Sequence, residues 1–380
     1  MRVEVRPELL RWARERAGLT AAAVTRRLPR FEEWESGTRQ PTLKQLEHFA
    51  RLAHAPIGYL FLSEPPTERV PIPDFRTMAD GGVRRPSPDL LDTVYACQER
   101  QAWYREFARA ENLEAPPFVG SATVESDVVV TAGGMRTALG FGLAKRRAMS
   151  TWGEALRSVV EQADAAGVMV MASGVVGSNT HRVLDADEFR GFALVDPLAP
   201  LVFVNGADTK SAQMFTVAHE LAHVWLGLTA LSDVGPASVP EHRVEQWCNQ
   251  VAAEFLVPSA ALLREYRAGG VVADECRRLA RVFKVSTLVA LRRLHDVSVL
   301  TRAVMWTAYE AELERLRALP RSSGGDFYNT QPVRVSKRFA RALIGHTLEG
   351  HTLYRDAFRM LGISRLETFR ELGRGLGVHG

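Results

Sequence analysis

Residues 209–227 read TKSAQMFTVAHELAHVWLG, and their periodicity describes a helix running from about Thr209 to Gly227. Apolar residues flank the HELAH core on both sides, QMFTVA before it and VWLG after it, as expected of a helix buried at the centre of a domain. His219 and His223 are four apart, so on a helix they project from one face about a turn apart and can ligate a single metal ion. Glu220 lies about 100° further round, where it can take a proton from a water at that metal without being a ligand itself. Zinc, Zn2+, suits this donor set because it accepts nitrogen and oxygen ligands tetrahedrally and acidifies bound water.

A third ligand is expected downstream, where residues 241–258 read EHRVEQWCNQVAAEFLVP and form a second helix from about Pro240 to Val257, stopped by Pro258. Glu245 is preferred, because Asn249 lies one turn on, on the same face, and can hold a ligand side chain in place. Glu254 competes with it, and Glu241 and His242 are weaker alternatives. A pair of histidines with a distant glutamate is the gluzincin arrangement. For the second donor that a transition-state oxyanion needs, Tyr266, His242 and His295 are candidates, though packed or solvated roles suit each of them. Cys248 adjoins the ligand face and reads as a buried thiol.

Upstream of the HELAH helix the pattern is mixed α/β. TWGEALRSVVEQADAAG (151–167) reads as a helix, and VMVMA (168–172), FRGFALVD (189–196) and PLVFVN (200–205) read as strands, the last two joined by a turn. Residues 229–239 read as a loop. The N-terminus reads as short helices: from Pro7 to about Ala17, from Thr20 to about Leu28, a third over PRFEEWES, and a fourth capped by Thr42. Residues 64–75 hold four prolines and read as a linker, and 87–114 as one long helix. Residues 259–320 and 326–380 read as helical, the latter basic. The fold class expected is therefore α+β: an N-terminal all-α domain, a metallopeptidase domain with a small sheet, and a helical C-terminal region. The expected boundaries are 1–62, 63–120 (linker and long helix), 121–300 and 301–380.

Composition bounds the function. Mean hydropathy is −0.10, and no apolar run approaches the roughly 18 residues of a membrane span. Three scattered cysteines argue against a disulfide scaffold. These features, and a start without a hydrophobic signal stretch, give the expectation of a cytoplasmic protein without membrane partners. Basic residues outnumber acidic ones 11 to 7 in residues 1–60 and 10 to 5 in 321–380, while the middle is acidic, so the ends are the parts suited to polyanions.

Taken together, RGFALVDPLAPLVFVNGADTKSAQMFTVAHELAHVWLG and EQWCNQVAAEFLVP resemble the ImmA/IrrE family of metallopeptidases, over about residues 150 to 260. The resemblance implies a zincin-like fold, zinc on His219, His223 and Glu245, Glu220 as general base, and a repressor or antitoxin as protein substrate. LRWARERAGLT, EEWESGTRQPT and LKQLEHFARL resemble the Xre-type helix-turn-helix, which implies DNA as a partner, with Arg26, Arg27, Arg30 and Arg39 on phosphates. LFLSEPP and PIPDFRT match the join seen in fusions of the two modules, and the C-terminal stretch looks like the tail of fusion members that neighbour a PIN-like toxin. Only PRF separates AAAVTRRL from EEWESG, fewer residues than the Xre pattern has, so the recognition helix is short. The alternative is a DNA-binding antitoxin or repressor of a toxin–antitoxin system with a structural metal site. In that reading a cognate toxin is the partner, or the N-terminal module serves homodimer or partner contacts.

Overall fold

The computed structural model describes residues 2–74, 85–232, 242–317 and 333–378. The chain divides into two compact units, residues 1–71 with 80–94 and residues 72–79 with 95–380.

In the first unit α1 (Pro7–Arg16), α2 (Ala21–Thr25), α3 (Phe31–Glu35) and α4 (Leu43–Leu52) precede a 3-10 turn, Ile57–Phe61. Local chemistry sets the starts. Pro7 opens α1, the Thr20 side chain accepts from the Ala23 N–H, and Thr42 with Gln45 closes a reciprocal capping box. Helix α2 stops short of Leu28, because Pro29 disfavours helical backbone in the residue before it. Leu9, Leu10, Phe31, Trp34, Leu46 and Phe49 make the core, with Phe31 stacked on Phe49 at 4.8 Å.

The second unit holds a mixed sheet of β1 (Met169–Ser173), β2 (Gly191–Leu194), β3 (Leu201–Asn205) and β4 (Ala230–Ser232), in the order β1-β3-β2-β4. Strand β1 runs parallel to β3, whereas β2 pairs antiparallel with both β3 and β4. The Asp196 carboxylate closes the β2–β3 turn by accepting from the Leu198 and Ala199 N–H groups. Strand β4 lies where a loop was expected, since three residues are too few for a two-residue alternation to register.

Helices α5 (Pro88–Ala110), α6 (Val128–Ala138), α7 (Leu143–Ala148) and α8 (Trp152–Ala165) come before the sheet is complete. Helix α9 (Lys210–Leu226) carries HELAH and packs on β2, β3 and α8; α10 (Arg243–Leu256) packs in turn on α9 and α6. The Thr209 hydroxyl caps α9, and Gly227 ends it at φ 74°, a left-handed conformation that suits glycine. Every residue from Gln213 to Leu226 is buried, so each polar side chain on α9 needs an internal partner. Gln213 finds two, donating to the Gly206 and Asp208 carbonyls.

Helix α9 comes unusually close to the sheet at Gly191. A Cβ there would lie 2.6 Å from Thr216 Cγ2, 2.8 Å from the Phe203 carbonyl and 3.1 Å from Glu220 Oε1. The missing side chain at 191 is thus what lets Glu220 rest over β2.

Helices α11 (Ser259–Glu265), α12 (Val272–Phe283), α13 (Thr287–Asp296) and α14 (Arg302–Arg317) follow. The pair α12–α13 has the sequence look of a second helix-turn-helix, but Leu288 to Leu291 of α13 are buried in the main core. Helix α15 (Lys337–Leu348) packs on α8 and β1, and it is followed by α16 (Tyr354–Leu361) and α17 (Leu366–Gly375). This C-terminal segment is knitted in by polar bonds as well. The Ser336 hydroxyl donates to Asp164, and Arg100 Nε donates to the Met360 carbonyl at 2.9 Å. Trp103 packs edge-on to Phe339. No described helix is long and apolar enough to cross a membrane.

Candidate metal centre

Helices α9 and α10 bring His219, His223 and Glu245 together, with all three side chains buried. His219 Nε2 lies 3.1 Å from Glu245 Oε2, His223 Nε2 lies 3.1 Å from Glu245 Oε1, and the two Nε2 atoms are 3.1 Å apart. Asn249 stands behind the first ligand, its Oδ1 3.0 Å from His219 Nδ1. A carbonyl oxygen can only accept, so Nδ1 carries the proton and Nε2 presents its lone pair to the cluster.

These donors fit a metal better than they fit one another. Two imidazole nitrogens and two carboxylate oxygens converge on one small volume, and among the described residues Glu245 Oε1 and His223 Nδ1 close no hydrogen bond. Neighbouring donors on a tetrahedral zinc with bonds of ~2.0–2.1 Å sit about 3.3 Å apart, close to the spacing seen. Among the described residues, no other three histidine, cysteine or acidic side chains come together in this way.

The electrostatics separate the two carboxylates. Burial pushes Glu245 up, but the imidazoles of His219 and His223 outweigh it and hold its carboxyl well below the usual range. Burial drives Glu220 the other way, well above the usual carboxylate range, and the neighbouring Glu245 adds to the rise. The nearby Ser232 hydroxyl pulls Glu220 the other way, yet among the described residues neither Glu220 oxygen closes a hydrogen bond of ordinary geometry. His223 is lowered, mainly by burial. One carboxylate is thus shaped to stay ionised beside a cation, and the other to hold a proton readily.

The alternatives of the sequence reading sit elsewhere. Glu254 forms a buried ion pair with Arg293 and accepts from the Ser259 N–H, so it is committed to structure. Glu241 lies outside the described residues. His242 is exposed at the start of α10, where its ring accepts from the Val244 N–H at 3.3 Å. Tyr266 packs against the core, and His295 Nδ1 is 3.0 Å from the Leu300 carbonyl. Cys248 is buried, which pushes its thiol well up. Arg26, Arg27 and Arg30 are exposed in the first unit, while Arg39 pairs with Glu33 at 3.3 Å.

Ser232 of β4 was not singled out from the sequence. Its hydroxyl is buried and lies 3.5 Å from His223 Nε2, and its strand position is opposite Gly191. The lone glycine in a strand pattern was the available signal for that close approach.

The model of the M78 peptidases, the IrrE N-terminal-like domain, matches residues 163–295, from the end of α8 through α13 and so across all three candidate ligands. The match supports a metallopeptidase of ImmA/IrrE type, and that family implies a metal ion. Residues 335–375 match a domain of unknown function, DUF8813. Comparison with curated proteins and with solved structures gives no match.

Proposed function

We propose that this chain is a zinc-dependent endopeptidase that cleaves a repressor or an antitoxin, and that its N-terminal helices bind DNA. The carrying observation is Glu220. It is fully buried beside the three converging donors, neither oxygen closes a hydrogen bond of ordinary geometry among the described residues, and Gly191 is kept bare to make room for it. A purely structural metal site has no need of a carboxylate so placed.

In this reading His219, His223 and Glu245 hold the ion, whose chemistry is to polarise a peptide carbonyl and acidify a water. Asn249 fixes the His219 ring so that Nε2 faces inward. Glu220 acts as the base: burial and Glu245 raise its proton affinity, so it can take a proton at the carboxylate and release it to the leaving amine. Arg26, Arg27 and Arg30 contact phosphates in the DNA-bound state, with Arg39 joining them once it leaves Glu33.

A second reading, a DNA-binding antitoxin or repressor with a structural metal, draws on one observation: none of the three donors is more than 1% exposed. Incubating the purified protein with the products of adjacent genes decides between the two. Metal-dependent cleavage of one of them by the wild-type chain but not by Glu220→Gln supports the peptidase. Intact partners with both proteins favour the second reading.

A further inference from the structure

Helix α7 buries a charge that no described side chain answers. Arg146 has no exposed surface, and none of its three guanidinium nitrogens closes a hydrogen bond. Buried charges are ordinarily paired, because a charge taken out of water loses more than packing returns. The ring of Phe141, its centroid 5.1 Å from the guanidinium carbon, offsets only part of that loss. Burial pushes Arg146 down to about 9 and the nearby Arg136 adds to the fall, which still leaves a cation at neutral pH.

The surroundings deepen the imbalance. The charged group that acts on Arg146 is a second cation, Arg136 of α6. Arg136 itself leans on uncharged acceptors, its Nη1 donating to the Glu254 carbonyl at 2.7 Å near the end of α10. The Glu254 carboxylate is taken by Arg293, and Glu265 of α11 pairs with Arg147. Two guanidiniums without a counter-charge are the donors that carboxylates and phosphates bind. The metal centre lies elsewhere: Glu254 comes nine residues after Glu245, about 13 Å along α10 at ~1.5 Å per residue.

With Arg146 wholly covered, an anion arrives only as α7 moves. That helix has six residues, its N-cap Gly142 supplies no side-chain cap, and Gly140 just before it sits at φ 55°. So short and uncapped a helix opens locally at little cost.

We propose that Arg146 and Arg136 form an anion site, closed by α7, that takes a phosphate group. A dianion cancels both charges at once, and its oxygens match the forked N–H donors of a guanidinium. The free ion and a phosphomonoester share this chemistry.

The full chain is melted in about 10 mM inorganic phosphate and in sodium chloride of equal ionic strength. Phosphate should raise the melting temperature by ~3 °C or more, and Arg146→Met should abolish that rise. The variant keeps the metal centre and the exposed arginines of the first unit, so phosphate bound there shifts both chains alike. No rise, or the same rise in both chains, overturns the proposal. If Arg146→Met does not fold, hydrogen exchange on the unsubstituted chain decides. The Arg146 and Met149 amides, bonded to the Gly142 and Arg146 carbonyls, should exchange at least ~10-fold more slowly with phosphate present. Unchanged exchange in α7 overturns the proposal as well. Phosphoserine in place of the free ion separates the two sources: an equal rise extends the site to phosphomonoesters, and none confines it to free phosphate.

Discussion

The helices of the metal centre and those of the N-terminal unit obey the same capping rules, yet they distribute polarity in opposite ways. Helices α9 and α10 bury His219, Glu220, His223 and Glu245 in the middle of an apolar core, where each must answer for the cost of its desolvation. The N-terminal core differs: among the described residues its buried members are apolar, and the half-buried charges at its edge, Arg14 and Arg16, are paired with Glu35 and Glu68. Arg26, Arg27 and Arg30 are exposed, and the same small module shows Glu32 and Glu33 on its surface. The lesson is that buried polarity narrows function to a few chemistries, while exposed charge leaves many partners open.

The sharpest way to break this contrast is to empty the centre. With His219→Ala and His223→Ala together, metal content should fall from about one ion per chain to none, because Glu245 alone offers too few donors. Full retention by elemental analysis would mean that the buried cluster is not the metal site.

The next largest effect is expected at Glu220. Glu220→Gln keeps the shape and removes the base, so metal content should be unchanged while cleavage of the partner protein falls by roughly 10²-fold or more. Cleavage at the wild-type rate would assign the buried carboxylate to packing.

Asn249→Ala tests the support one step out. Losing the hydrogen bond to His219 Nδ1 should weaken zinc by about 10–100-fold in chelator competition, with the fold intact by circular dichroism. An affinity within twofold of wild type would show that something else orients the ring.

The smallest effect belongs to the surface. Replacing Arg26, Arg27 and Arg30 with Ala should weaken DNA binding about equally for all sequences and reduce the slope of log affinity against log salt by about 3. An unchanged slope in a titration at several salt concentrations would turn the N-terminal unit from a DNA reader into a protein-contact module.

How much of this was legible in the sequence follows the same division. The convergence of His219 and His223 on α9 could be read because four-residue spacing on a helix is local information. Glu245 could be preferred over Glu254 because Asn249 lies one turn away, and the Glu254–Arg293 ion pair gives the physical reason for Glu254's absence from the site. What stayed hidden depends on partners distant in the chain. Arg293 is 39 residues from Glu254, and Gly191 is 41 from Ser232, so no local pattern links either pair. Helix α6 was also not apparent, since Gly133 and Gly134 at its middle and a run of three valines at its start argue against a helix. Tertiary contacts override that propensity: α6 packs on α10, and Arg136 donates to the Glu254 carbonyl at 2.7 Å.

The bare backbone at Gly191 has one more consequence. It acts as the gauge that sets the gap between sheet and helix, with no slack on the helix side. Inserting a single methyl there would work like a shim, prying Thr216 and Glu220 outward by tenths of an ångström while His219 and His223, on another face of the same helix, move less. On the proposed peptidase reading, such a chain would still take up its ion and would be out of adjustment only at Glu220, the proposed base. In that reading loading and turnover are set by separate tolerances, and position 191 governs the finer of the two.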